Sequence, residues 1–197
     1  MISRTEMVWR HLLVSALDEQ KRRTSLTELA QGLSLPVSTV HRALERPRSI
    51  GVIRGSAAGL RVLDPRRLQL LWAGTRDLSR DCVYATRIPG SVGEIESRLP
   101  STSIPTAFTA FVRHEGRNLV ADYDLVVVYG DGAELRRRYP PRGGEPNLVV
   151  LEPDPLLHLY GQVAPQSQVY VDLFNLPGWQ AQRFLEVLDR NLLRDVA

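Results

Sequence analysis

The chain has 197 residues, of which 43% are apolar and 24% are charged. That length suits one medium domain or two small ones, and the composition excludes a wholly disordered, collagen-like or membrane-embedded chain. The formal net charge is only +3, but residues 1–76 hold 13 Lys and Arg against 6 Asp and Glu. Positive charge is therefore concentrated in the N-terminal part.

The cellular compartment follows from hydropathy and cysteine usage. The longest apolar runs, such as residues 125–129, are far shorter than the roughly 20 residues that cross a bilayer. The first residues also lack the apolar segment of a signal peptide. We therefore expect a cytoplasmic protein with no membrane partner. The single cysteine, Cys82, excludes an internal disulfide and a multi-cysteine metal site, and we expect it to be a small core residue.

The first 45 residues show three segments with helical periodicity. Apolar residues recur at helical spacing over residues 8–17, and a charged run at residues 18–23 follows, which we expect to be a solvated turn. Thr24 or Ser25 can cap a second helix that ends at the break over residues 32–35. Pro36 then opens a third helix with three inward-facing apolar residues. The members of that inward face are Val40, Ala43 and Leu44.

Two β-prone runs, residues 51–54 and 60–63, follow the third helix and are separated by a Gly-rich turn. Helix, turn, helix and a short hairpin together predict a winged helix-turn-helix. The residues Glu28-Leu-Ala, Leu35-Pro-x-Ser-Thr-Val-His-Arg-Ala-Leu and Gly51-Val-Ile resemble the winged helix-turn-helix domains of bacterial transcription regulators. The resemblance covers about residues 5–65.

That resemblance implies a partner and a set of contacts. The third helix of such a domain enters the major groove with its N-terminal end toward the bases. Ser38 and Arg42 are the leading candidates for base contacts, Arg42 by bidentate donation to guanine, and Thr39 is short enough to touch a phosphate. Some winged helices bind protein instead, but the positive charge of residues 1–76 favours double-stranded DNA.

Two further outward residues of the third helix are candidates for DNA contacts but also have alternatives that do not involve DNA. Val37 either contacts DNA or packs near the turn, and His41 either contacts DNA or is a solvated imidazole. Four arginines are expected to serve the phosphate backbone or, alternatively, to be solvated. These arginines are Arg46, Arg48, Arg54 and Arg61.

The rest of the chain predicts an α/β domain with terminal helices, joined to the wing by a helix. We place the winged helix-turn-helix at residues 1–63, the connecting helix at 64–76 and the α/β domain at 77–197. Within that domain, β-rich runs alternate with helical patterns. The runs cover residues 82–88, 124–129 and 147–151, and the helices residues 91–99, 109–114, 133–138, 167–176 and 180–193.

One group of acidic residues in this domain suggests catalysis. Asp122 and Asp124 resemble the strand of nucleotidyltransferases in which two carboxylates on one strand face hold Mg²⁺, with Glu152 as a possible third ligand. Such enzymes also cradle phosphates on a Gly-Ser pair, and here Ala110-Phe111 takes that place. We therefore interpret the three carboxylates as vestigial, and predict no catalytic residue, no metal, no cofactor and no enzymatic activity.

Two longer stretches resemble the AbiEi-type antitoxin regulators. These stretches are Val62-Leu-Asp-Pro-Arg-Arg-Leu-Gln-Leu-Leu-Trp-Ala73 and the C-terminal pair Leu148-Val-Val-Leu-Glu-Pro153 and Ala164-Pro-Gln-Ser-Gln-Val-Tyr-Val-Asp-Leu173. The resemblance implies a winged helix joined to a nucleotidyltransferase-like domain that has lost catalysis. It also implies repression of the protein's own operon and opposition to a cognate toxin.

The polar residues of the last stretch, Gln168, Tyr170 and Asp172, are expected either at an interface or in internal hydrogen bonds. Two other functions stay open: a one-component regulator whose α/β domain binds a small effector, and an active nucleotidyltransferase. We further expect a dimer, or several copies, on DNA. The apolar stripe of the terminal helix either serves this pairing or packs onto its own sheet; its residues are Phe184, Leu188 and Leu192.

Overall fold

The computed structural model describes residues 1–17, 24–56 and 59–194, with side chains up to residue 190 apart from Leu17. Its contacts divide the chain into two compact units, one made mainly of residues 2–76 and the other mainly of residues 77–190. The predicted solvated turn at residues 18–23 lies outside the described residues. No helix in the described ranges is long and apolar enough to cross a membrane.

The N-terminal unit contains the predicted helix-turn-helix and wing. Its elements are α1 (Arg4–Leu17), α2 (Leu26–Gly32), α3 (Val37–Ser49), β1 (Ile53–Ser56), β2 (Gly59–Val62) and α4 (Pro65–Ala73).

Helix α2 begins where the sequence predicts, at a Ser25 cap. The Ser25 hydroxyl accepts from the Glu28 N–H at 3.1 Å, and the Glu28 carboxylate accepts from the Ser25 N–H at 2.7 Å. This reciprocal pair is a capping box, which satisfies two donors that the helix start would leave unpaired. The tight turn before α3 places Ser34 at φ +53, and the Leu35 N–H closes back on the Ala30 carbonyl at 2.9 Å.

Helix α3 is longer than the sequence predicts. The expected end was near residue 45, ahead of Pro47, but the helix continues through Pro47 to Ser49. Proline has no N–H to donate to the carbonyl four residues earlier. Here that carbonyl belongs to Ala43, and the indole N–H of Trp9 in α1 donates to it at 2.8 Å in a buried contact. The indole thus replaces the hydrogen bond that Pro47 cannot make.

The wing is an antiparallel pair of strands that the rest of the unit extends. Strands β1 and β2 pair from Ile53 opposite Val62 to Ser56 opposite Gly59. Thr24 adds a bridge on the other side of β2, exchanging both backbone hydrogen bonds with Leu60. The wing is therefore tied to Thr24, which precedes the Ser25 cap of α2.

Helix α4 packs against α1 and belongs to the N-terminal unit. Asp64 caps its start by accepting from the Arg67 N–H at 2.9 Å, as the Asp-Pro pair predicts. The buried Glu6 carboxylate accepts from the Trp72 indole at 3.2 Å and lies 3.6 Å from the Arg76 guanidinium. The expected connecting segment at residues 64–76 is thus part of the helical core of that unit.

The second unit is a mixed α/β structure. Its elements are α5 (Leu78–Asp81), β3 (Cys82–Thr86), α6 (Val92–Ser97), β4 (Ile104–Thr106), α7 (Ala107–Glu115), β5 (Val126–Tyr129), α8 (Gly132–Arg138), β6 (Leu148–Leu151), a 3₁₀ turn (Leu157–Tyr160), α9 (Gln166–Phe174) and α10 (Trp179–Arg194). The strand order is β3-β6-β5-β4, with β5 and β6 parallel and both outer pairs antiparallel. The predicted mixed α/β class with an N-terminal helix-turn-helix is confirmed.

The two central strands form because they are apolar on both faces. All four residues of β5 are buried and β6 is nearly so, as expected for parallel strands covered on both sides. The edge strand β4 was not predicted, because it is only three residues long and contains Pro105, which argues against a strand interior.

A polar cluster inside this unit settles the two interpretations of the C-terminal motif in favour of internal hydrogen bonding. The fully buried Asp172 accepts from the Thr106 hydroxyl at 2.6 Å and from the Tyr129 hydroxyl at 2.7 Å. Gln168 donates to the same carboxylate at 3.1 Å, and the Tyr170 hydroxyl donates to Asp189 at 3.3 Å. The cluster joins α9 to β4 and β5.

Two further expectations change in this unit. Cys82 is exposed and not a core residue, because it is the first residue of the edge strand β3. The stripe of α10 that offered a dimer surface is covered within the unit as far as its side chains are described. Phe184 is fully buried and packs edge-on against Phe108 and Phe111, with ring centroids 5.1 Å and 4.9 Å apart.

Candidate nucleic-acid interface

The outer surface of α3 carries the residues expected to contact bases. Val40, Ala43 and Leu44 are buried as predicted, and this fixes which side of the helix faces away from the unit. Four predicted contact residues are exposed on the outside and Thr39 is half-buried. The exposed residues are Val37, Ser38, His41 and Arg42.

The first turn of α3 is open to an approaching anion. The first N–H groups of any helix lack an intrahelical acceptor, and the capping residue Pro36 provides no side-chain hydrogen bond. The Thr39 and Val40 N–H groups bond to the Pro36 carbonyl at 2.9 Å and 3.2 Å. The N–H groups of Val37 and Ser38 precede them and point toward the end of the helix that a DNA-binding domain inserts into the groove.

The electrostatics of α3 and the wing are strongly positive. Between residues 37 and 63 the sequence has five arginines and one glutamate. The one glutamate, Glu45, lies 3.8 Å from the His41 ring nitrogen, in an exposed pair. Four of these arginines are exposed and Arg48 is half-buried. The exposed ones are Arg42, Arg46, Arg54 and Arg61.

The wing places two arginines side by side. Arg54 and Arg61 are directly opposite each other in the β1–β2 pairing, and both are exposed, whereas Ile53 and Leu60 are buried on the other face. Like charges opposite each other on one face destabilise a strand pair. A phosphate between the two guanidinium groups removes that repulsion, since arginine's fork suits phosphate oxygens.

Arg48 extends this surface from α3 to the wing. Its guanidinium lies close enough to Gly55 that a β-carbon there would be 3.6 Å from it. Arg48, Arg54 and Gly55 line an open groove of about 530 Å³ between the end of α3 and β1. Arg48, Arg54 and Arg61 are therefore neighbours around this groove and the wing, and Arg46 is exposed on α3.

The three carboxylates of the second unit do not come together. Asp122 and Asp124 precede β5, which begins only at Val126, so they do not share a strand face as predicted. Glu152 follows the end of β6, and β6 runs parallel to β5. At about 3.3 Å per residue, a four-residue strand puts Glu152 on the order of 13 Å away, at the opposite end of the strands. Glu152 is not placed to be a third ligand beside the two aspartates.

The expected phosphate-cradle position is also occupied differently. Ala110 and Phe111 lie inside α7 and are buried, so their N–H groups are part of the helix. The helix starts at Ala107, which has φ +50. Ala110 and Phe111 therefore offer no exposed N–H groups to a phosphate.

Sequence reasoning missed the residues that hold the reading helix. Trp9 supports α3 through the Ala43 carbonyl, and the Glu6, Trp72 and Arg76 contacts hold α4 against α1. Pro47 is the one signal that the sequence offered, because a proline inside a helix frees the carbonyl four residues before it.

Three helices, a two-stranded wing and a basic outer face are the architecture of a winged helix-turn-helix DNA-binding domain. Residues 12–46, from the middle of α1 through most of α3, match the family model of the IclR helix-turn-helix domain. The chain thus carries an IclR-type helix-turn-helix DNA-binding domain at its N-terminus, and this domain indicates a DNA-binding transcriptional regulator. No curated protein and no solved structure matches the chain.

Proposed function

We propose that this protein is a sequence-specific transcriptional repressor of the AbiEi antitoxin type, which binds its own operator and opposes a cognate toxin. The observation that supports the DNA-binding part of this proposal is the basic surface of α3 and the wing, which is formed by the exposed Arg42, Arg46, Arg54 and Arg61. The repressor and antitoxin parts rest on the resemblance of the connector and of the C-terminal motif to that family.

The proposal divides the surface into base-reading and backbone-binding residues. Ser38 and Arg42 are on the outward side of the first two turns of α3, where a reading helix meets base edges. Arg46, Arg54 and Arg61 are farther from that end and bind phosphates, which adds affinity at every sequence.

Under the antitoxin role, the second unit binds a protein partner and does not catalyse a reaction. Glu152 and the aspartates Asp122 and Asp124 lie at opposite ends of the parallel strands β5 and β6. This separation favours a non-catalytic role. The active nucleotidyltransferase is the alternative. Under our proposal, replacing Asp122 and Asp124 together by Asn leaves DNA binding and toxin neutralisation intact. If the purified protein transfers nucleotides with Mg²⁺ and the double change abolishes this transfer, the protein is an enzyme.

A second candidate function is a regulator controlled by a small effector. It is favoured by an open groove of about 570 Å³ beyond the carboxyl ends of β5 and β6, lined by Val83, Arg136 and Glu152 among others. Ligands of α/β sheets commonly bind in that crevice. A metabolite that changes operator affinity without any toxin present supports this candidate over the antitoxin.

The experiment that tests the main proposal has two parts. Full-length protein is first used to select binding sequences from a random duplex library, and the selected sequence is then looked for upstream of the protein's own gene. The products of neighbouring genes are next expressed with and without the protein. A selected site in that upstream region and rescue of growth inhibition support the proposal, whereas binding without sequence preference contradicts it.

A further inference from the structure

The reading helix presents one large apolar side chain to solvent at its leading end. Val37, the first residue of α3, is 48% exposed, and the other exposed residues of α3 are polar or charged. An exposed valine gains nothing from water and, being β-branched, is not a favoured helix former. Partial packing near the turn leaves about half of its surface free.

We infer that Val37 reads a thymine by contact with its 5-methyl group. The inference rests on the proposed DNA-binding function and adds a specificity determinant to it. The thymine methyl is the one apolar group that a base pair displays in the major groove, and small apolar side chains contact it there.

The position of Val37 on the helix supports a base contact. The N-terminal end of a reading helix enters the groove first, and no capping side chain lies over that end. Ser38 is the next residue, and Arg42 lies one turn beyond it on the outward side. At about 100° per residue, Val37 lies about 140° around the helix from Arg42. Its base contact therefore depends on its place at the leading end of α3 and not on a face shared with Arg42.

The chemistry predicts a discrimination that depends on a single methyl group. Uracil differs from thymine only by lacking the 5-methyl group, so it pairs and stacks in the same duplex without it. Burying one methyl group against an aliphatic side chain changes a dissociation constant by about fourfold. The valine contact is therefore measurable without altering any hydrogen bond of the base pair.

The test uses full-length protein and a duplex selected from a random library. Each thymine of the selected duplex is replaced by uracil, one position at a time, and the dissociation constant is measured for wild type, Val37→Ala and Val37→Ile. We expect one position at which uracil weakens wild-type binding about fourfold. Val37→Ala binds both duplexes alike, and Val37→Ile, which keeps an aliphatic branch, still prefers thymine.

Leu63→Ala is the matched control. Leu63 is the other large exposed apolar side chain described between residues 24 and 63, at 41% exposure, but it lines the groove beside Arg48 and Arg54 and not the start of α3. It keeps the thymine preference. The inference is overturned if every uracil substitution is silent in wild type, or if Val37→Ala keeps the same preference, while Arg42→Ala still loses sequence preference. That result leaves the proposed function standing. Failure to select any sequence removes both the function and the inference.

Discussion

Arg42 and Arg54 are both exposed arginines, but their positions assign them different contacts. Arg42 projects from the second turn of the reading helix, where a guanidinium can donate two hydrogen bonds to guanine. Arg54 lies on the wing opposite Arg61, where we expect the two like charges to bind a phosphate, a contact that carries no sequence information.

Arg42→Ala is expected to cost about 1–3 kcal/mol of discrimination at one base pair. Arg54→Ala is expected to weaken all sequences alike and to reduce the slope of log affinity against log salt by about 0.9. Equilibrium binding to the selected duplex and its single-base variants, repeated over a salt series, separates the two. Equal behaviour of the two variants contradicts this division of roles.

Trp9 makes a hydrogen bond that the backbone of α3 cannot make. Its indole is the donor to the Ala43 carbonyl, which Pro47 leaves without one. Trp9→Phe keeps an aromatic ring but leaves a buried carbonyl unsatisfied. We expect a loss of about 1–3 kcal/mol in the free energy of unfolding, measured by urea denaturation.

The rescue of Trp9→Phe is the control. Pro47→Ala supplies the missing N–H within α3, so it should restore part of the stability in the Trp9→Phe background and much less in the wild-type background. A double-mutant cycle gives this coupling directly. No coupling between the two positions means that the hydrogen bond is not the source of the loss.

At the scale of elements, the chain uses the same capping box in both units. Ser25 and Glu28 start α2 beside the reading helix, and Ser91 and Glu94 start α6 in the second unit. The chemistry is identical, but only the first box supports the DNA-binding surface. The pair thus forms a natural control for separating stability from function.

Ser25→Ala and Ser91→Ala should each lower the free energy of unfolding by about 1 kcal/mol. Ser25→Ala alone should also weaken DNA binding, because α2 packs on α3. Thermal unfolding and duplex binding of the two variants are compared at one pH. A similar loss of DNA affinity in both variants would indicate a general effect of lower stability.

The same box has a pH dependence. Hydrogen bonds from the Ser25 backbone and hydroxyl hold the pKa of Glu28 below its ordinary value of 4.5. A lowered folded pKa means that the stabilisation is complete above the unfolded value and is lost as the pH falls through the folded one. The gap in melting temperature between wild type and Glu28→Gln, whose side chain is neutral at every pH, should therefore narrow as the pH drops below 4.5. A gap that stays constant from pH 7 to pH 3 contradicts this assignment.

At the scale of the whole molecule, one reading helix and one wing give a small DNA contact. A single module of this kind buries about 600–1,000 Å² of protein surface, which is at the low end for specific recognition. Phe184 and Leu188 of α10 are buried within the unit, so we do not expect a dimer contact through them. We expect several copies to bind through repeated half-sites on the DNA instead.

We expect two or more copies on an operator, with half-sites about one helical turn apart. Footprinting of the selected site and the mass of the saturated complex measure this. Two protected half-sites and more than one protein per duplex are the expected result. Protection of about five base pairs by a single copy would show that one module suffices.

Some helices and strands could be predicted from the sequence alone, because the residues that specify them are close together along the chain. Apolar spacing placed α1 to α3 and located Val40, Ala43 and Leu44 on the inner face. Cap residues placed the starts of α2 and α4, and the charge count located the basic half. These features depend on neighbours within about four residues along the chain, and a single sequence contains them.

Only the tertiary structure decided the features that join distant residues. The Trp9–Ala43 hydrogen bond spans 34 positions and the Trp72–Glu6 bond 66, and no local pattern records such a pairing. The parallel register of β5 and β6 separated Glu152 from Asp122 and Asp124, whereas sequence spacing alone had suggested a shared site. Strand direction and order are set by packing of the complete sheet. Which end of the strands a carboxylate lies at is therefore decided only when the chain has folded.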